Sequence, residues 1–160
     1  MSLAASLLLF KLILLAGLAL WISLIAFNNL IAFRNGVFAI GQLMRMAPLE
    51  QAPAIQTPLL ARKIDNPRLH RAVLSIVLAA EIVSGLLLWS AVAALAGAGG
   101  FADPVAQANL ALSAFMATCF LMLIGGSWFA YYIRQDNVQL LHFVLIGVSA
   151  LALLAVNLRV

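Results

Sequence analysis

The sequence predicts an all-α integral membrane protein, a four-transmembrane-helix bundle with a Pro-rich loop between helices 1 and 2. Composition is the first reason. The 160 residues are 66% hydrophobic and 9% charged, whereas a soluble domain carries about 25% charged residues. There is too little polar surface to cover a water-soluble globule, and mean hydropathy is +1.13. The second reason is segmental. Four apolar stretches each supply the roughly 20 residues that a helix needs to cross the hydrocarbon core. The third is charge placement: Lys and Arg cluster beside those stretches, where cations set topology. The formal charge of +4 therefore points to membrane surface and not to nucleic acid.

The first span covers about 12–33, between Lys11 and Arg34. It could begin nearer Leu3, with Lys11 snorkelling to an interface. A cleaved signal peptide is not expected, because the apolar run is too long and no basic segment precedes it. The loop 34–71 follows. Its residues Val37 to Met46 are expected to form a short helix along the membrane surface. Pro48, Pro53, Pro58 and Pro67 are then expected to hold an extended strap, since proline fixes φ and removes a donor. Pro67 followed by Arg68 reads as the entry to the second span, 72–97. That span lies in an uncharged run from Ala72 to Phe101, broken only by Glu81. Gly97, Gly99, Gly100 and Pro104 make the next turn. Spans three and four cover 106–133 and 138–158, and the whole chain, 1–160, reads as one membrane domain.

The loops are asymmetric. Arg34, Arg45, Arg62, Lys63, Arg68 and Arg71 lie between spans one and two, none between two and three, and Arg134 between three and four. The positive-inside rule puts the first and third loops in the cytoplasm and both termini in the periplasm of a bacterial inner membrane. Lys11 and Arg159 argue weakly against this. Arg62, Lys63, Arg68 and Arg71 are placed to meet anionic headgroups or an acidic partner surface.

Glu81 is the residue that most needs an explanation. It stands ten residues beyond Arg71, about 15 Å along a helix, and so near the bilayer midplane. Ser23, Thr118, Cys119, Gly147 and Ser149 share that depth, and none is charged. A lone carboxyl there is expected to be neutral, and its plainest role is a hydrogen bond to a neighbouring helix. The functional readings are a proton or ion path, or contact with a partner subunit or lipid. Proton paths string several ionisable groups together, and here there is one. A second polar layer lies nearer the arginine-rich end: Asn28, Asn29, Ser75, Ser127, Trp128 and His142, with His70 at its edge. Bis-histidine haem ligation by His70 and His142, and quinone-headgroup binding by His142, Asn29 and Trp128, are the sharper readings of that layer. The plainer one is interfacial hydrogen bonding.

Other signals are packing signals. Trp128, Tyr131 and Tyr132 beside Arg134 form an aromatic belt. Ala80 and Ser84 make a small-xxx-small face for helix contact, and Gly125 and Gly126 permit close approach or a bend. Cys119 is the single cysteine, so no intrachain disulfide or cysteine metal cluster can form. There is no phosphate loop, nucleophile elbow, HExxH motif or paired carboxylate, so neither enzymatic activity nor a cofactor is expected.

Several short motifs resemble those of a bacterial family of uncharacterised, predicted small integral membrane proteins of four helices. They are Ala26-Phe27-Asn28-Asn29-Leu30, then Asn35 and Phe38, then Pro67-x-Leu69-His70 leading to Glu81 and Trp89, and Ile124-Gly125-Gly126-Ser127-Trp128-Phe129. The resemblance covers most of the chain and implies a four-span fold with no established activity. The chain departs from the family pattern at Ala32 and Ser127, where an acid is common, and at Gly41, where a histidine is. A comparison with membrane glutathione-transferase-like proteins fails, because Arg71 and Glu81 are ten apart with no Asn between them. The thinning of polar chemistry favours a non-catalytic accessory subunit of a larger membrane complex, respiratory or photosynthetic, with other membrane subunits and lipids as partners. The alternatives are a small homo-oligomeric transporter or channel centred on Glu81, and a quinone- or haem-binding redox module.

Overall fold

The computed structural model describes residues 1–100 and 102–158. Phe101 and Arg159 lie outside the described residues. Four helices are long and apolar enough to cross a membrane: α1 (Leu3–Ile31), α4 (Pro67–Leu95), α5 (Pro104–Trp128) and α6 (Asp136–Asn157). Two shorter helices, α2 (Phe33–Met44) and α3 (Ala47–Glu50), lie between the first two spans. This is a multi-pass, all-helical integral membrane protein.

The helix starts follow local chemistry. Asn66 accepts from the Arg68 N–H at 3.0 Å, and Pro67 takes the first helical position of α4, where no donor is needed. Asp103 does the same for α5, accepting from the Val105 and Ala106 N–H groups. Between these two helices Gly97, Gly99 and Gly100 all take positive φ, which only glycine adopts at little cost.

Helix order around the bundle is α1, α4, α5, α6, with α1 touching α6 only lightly. Lipid gives helices no hydrophobic reason to associate, so close packing and interhelical hydrogen bonds must hold them. Small residues supply the close approach: Ala19, Ala91, Ala108, Ala111 and Ala152 are buried among Leu15, Ile22, Leu88, Leu112 and Phe115. Ser84 meets Thr118 across α4 and α5 at 2.9 Å, using the small-residue face that Ala80 and Ser84 predict. Ser84→Ala is expected to cost about 0.6 kcal/mol, the average for such bonds in membranes, measured by unfolding in mixed micelles.

Lys11 has a specific job. Its ammonium donates to the Val156 and Leu158 carbonyls at 2.8 Å each, placing a cation on the α6 C-terminus where the helix dipole favours one. Asn109 and Asn157 bond one another beside it. Together they form a polar layer at the end of the bundle opposite the arginines.

The loop between α1 and α4 departs from expectation. The first helix breaks only at Ala32, and α2 then packs on the first turns of α4, with Gly36 against Leu74 and Gly41 against the His70 ring. The strap 48–67 is not simply extended. Pro48 lies inside α3, and Pro58 opens a 3-10 turn over Pro58–Arg62. Met46, Leu49 and Ala130 are buried together, with Ile55, Leu59, Leu60, Phe129 and Ile133 packed on them. The prolines bend the chain so that these apolar side chains reach the α5–α6 junction. Polar contacts fasten it: the Arg62 guanidinium lies 4.5 Å from the Trp128 ring centroid, Lys63 pairs with Glu50, and Arg134 donates to the Pro53 carbonyl.

At that junction α5 stops at Trp128. Ala130 takes a left-handed conformation, so the expected third span is shortened, and Tyr131–Ile133 forms a 3-10 turn. Tyr131 folds back on Gly126, where a Cβ would sit 2.7 Å from the ring. Gly126→Ala must push that ring and its His142 contact aside. It is expected to cost about 1–3 kcal/mol, read as a lowered Tm in detergent. Gly125→Ala, with open space at that position, is the unperturbed control.

Candidate functional site

Glu81 lies on the inner face of α4 and is 2% exposed. Its partner is Asn29, whose single amide nitrogen donates to both carboxyl oxygens, at 3.0 and 2.8 Å. Residue counting puts Asn29 in a shallower layer than Glu81. The two meet because helical side chains lean toward their own N-terminus, and α1 and α4 are antiparallel. Asn29 leans inward from the arginine-rich end and Glu81 leans outward toward it. Asn28, one residue away, is exposed.

About two turns deeper, α1 and α4 meet again. The Trp89 indole N–H donates to Ser23 Oγ at 3.1 Å, and Ser23 in turn donates to the Ala19 carbonyl at 2.7 Å. Beside these contacts lies a groove of about 210 Å³, lined by Ser23, Phe27 and Leu30 on α1 and by Glu81, Leu86 and Trp89 on α4. Gly85 lets α1 come close at this level: an added Cβ would lie 3.3 Å from Ser23 Oγ and 3.5 Å from Ile22 Cγ2. Phe27 is 58% and Leu86 65% exposed. These residues lie on lipid-facing flanks of spanning helices, so the groove opens sideways into the bilayer, with Glu81 among the residues that line it.

The other predicted polar residues are not gathered at one place. His142 is buried and shares a 3.2 Å hydrogen bond with the Tyr131 hydroxyl. Burial pushes the Tyr131 phenol above its usual range, so it stays protonated. His70 is buried against Gly41, with its Nε2 on the Ile64 carbonyl at 2.9 Å. Trp128 is exposed beneath Arg62, and Ser127 is half-buried. Among the described residues no hydrogen bond joins Asn29, Trp128 and His142, the set expected around a quinone headgroup. Haem ligation through Nε2 would require the His70–Ile64 contact to break, whereas His142 is bonded through Nδ1. Of the four predicted docking cations, Arg62 and Lys63 are engaged within the chain, while Arg68 and Arg71 are exposed.

Sequence reading underrated Ser23, Phe27, Gly85, Leu86 and Trp89 as site residues. Their signal was periodic: Ser23, Phe27 and Leu30 on one helix and Glu81, Gly85 and Trp89 on the other, each set spaced by three or four residues and thus one stripe. A family model described as "Predicted small integral membrane protein (DUF2165)" matches residues 7–159. The chain belongs to that family. Neither the curated proteins nor the solved structures compared with it match. In this DUF2165 member the matched region takes in the whole groove, Asn29 and Glu81 included.

Proposed function

We propose that this protein is a small, non-catalytic membrane carrier that takes a ligand sideways from the bilayer, with Glu81 as its ionisable centre. The observation that carries the reading is a groove that opens to lipid and has one acidic residue, Glu81, in its lining. An acid inside a membrane is a functional-site hypothesis by default, and pockets that bind small molecules pair apolar walls with a few placed polar groups. This groove has that make-up.

A second reading, a non-catalytic accessory subunit of a larger complex, draws on a different observation. Among the described residues no buried side-chain nitrogen or oxygen lacks a hydrogen-bond partner, as in a bundle that only has to stand still beside a partner. The proline strap no longer supports this reading, because it is packed on its own chain. Loop charge supports an orientation with the arginine-rich end in the cytoplasm of a bacterial inner membrane and both termini outside.

The two readings separate on a native gel. After extraction in mild detergent, a carrier is expected to run alone or as a small homo-oligomer. Co-migration of all the protein with a large complex, identified by mass spectrometry, would replace the carrier reading with the accessory one.

A further inference from the structure

We propose that the α1/α4 groove binds a hydrophobic organic monocation, an ammonium or other onium head on an apolar body, with Glu81 as its counter-charge. This rests on the carrier reading above and names its ligand class.

The charge argument comes first. Glu81 is the one acid inside a spanning helix. Glu50 and Asp65 lie in the first loop, Asp103 caps α5, and Asp136 opens α6. Among the described residues no cation pairs with Glu81. The salt bridges among the described residues are Arg45–Asp65 and Lys63–Glu50, and Lys11 is committed to the α6 carbonyls. Asn29 brings one donor group to a carboxylate that offers about four acceptor positions. Among the described residues no other donor bonds that carboxyl, and a positive head in the groove would take a remaining position.

The walls make the second argument. Phe27 and Trp89 line the groove, and aromatic faces attract cations, quaternary ammonium heads among them. The Trp89 ring is held in place by its bond to Ser23, so no ordering cost remains for that ring when a ligand arrives. An anion would find no opposite charge in the groove. The volume of about 210 Å³ is well above the ~10–15 Å³ that a single water needs. That fits a trimethylammonium head and its first carbons, with the tail left in lipid past Leu86.

The test uses the full chain in nanodiscs of zwitterionic phospholipid, with empty nanodiscs as blank. Hexyltrimethylammonium, hexanesulfonate and decylubiquinone are each titrated by isothermal calorimetry. The expected result is saturable binding of one hexyltrimethylammonium per chain and none of hexanesulfonate. Glu81→Gln, whose amide oxygen can still accept from Asn29, is expected to weaken binding at least about tenfold. Leu86→Trp fills the mouth without touching the carboxyl and is expected to weaken it too. Unchanged cation affinity in both variants, or equal binding of the sulfonate, would overturn the proposal. Glu81-dependent binding of decylubiquinone with no cation binding would overturn the cation class and leave the carrier reading standing. Failure of all three probes would remove both.

Discussion

Asn29→Leu lowers the unfolding free energy by about 1–3 kcal/mol, the cost of leaving a buried acceptor without its donor. The variant exchanges an amide for an apolar group of similar size, so little packing is lost. What changes is that both Glu81 oxygens lose the one nitrogen bonded to them. The effect should therefore exceed that of Ser84→Ala, where Thr118 keeps its bond to the Ala114 carbonyl. Glu81→Leu in the Asn29→Leu background removes the orphaned group and is expected to recover most of the loss. Glu81→Gln alone should cost little. A double-mutant cycle in mixed micelles measures the coupling, and additive single effects would mean the two residues do not interact.

Leu49→Ala is expected to cost about 2–5 kcal/mol, the usual range for emptying a buried leucine site. Leu49 is 2% exposed and lies with Met46 and Ala130 under the loop. This region lies beyond the ends of the spanning helices, where water supplies the hydrophobic drive that lipid does not. Replacing 48–67 with a Gly/Ser linker removes Leu49, Ile55, Leu59 and Leu60 at once and should free the α5–α6 junction. The readouts are a lowered Tm of the isolated protein and protease cleavage beside Tyr131. A strap built for an outside partner would give the opposite result, with the isolated protein unchanged.

These expectations separate what was legible in the chain from what was not. The four spans were legible because length and apolarity dominate in lipid. Glu81 was legible as a site because no other acid interrupts a span. Asn29 was legible as polar, but not as the partner of a residue 52 positions away, because counting residues along two helices ignores the opposite lean of their side chains. The loop cluster was not legible at all. Met46, Leu49, Ile55, Leu59 and Leu60 follow no helical or strand period, and it takes the turns at Pro48 and Pro58 to bring them together. Lys11 read as a snorkelling cation because its acceptors, the last carbonyls of α6, lie at the far end of the sequence. The groove was half legible: each helix shows its stripe, but no single-helix pattern says that the two stripes border one groove.

The central claim is that Glu81 is reachable from the lipid phase, and one labelling measurement tests it directly. The protein in native membranes is treated with the lipid-soluble dicyclohexylcarbodiimide or with a water-soluble carbodiimide, and each acid is mapped by mass spectrometry. The expected outcome is a dicyclohexyl adduct on Glu81, none there from the water-soluble reagent, and loss of the adduct in Leu86→Trp. An unlabelled Glu81, or one labelled equally from water, would contradict the account.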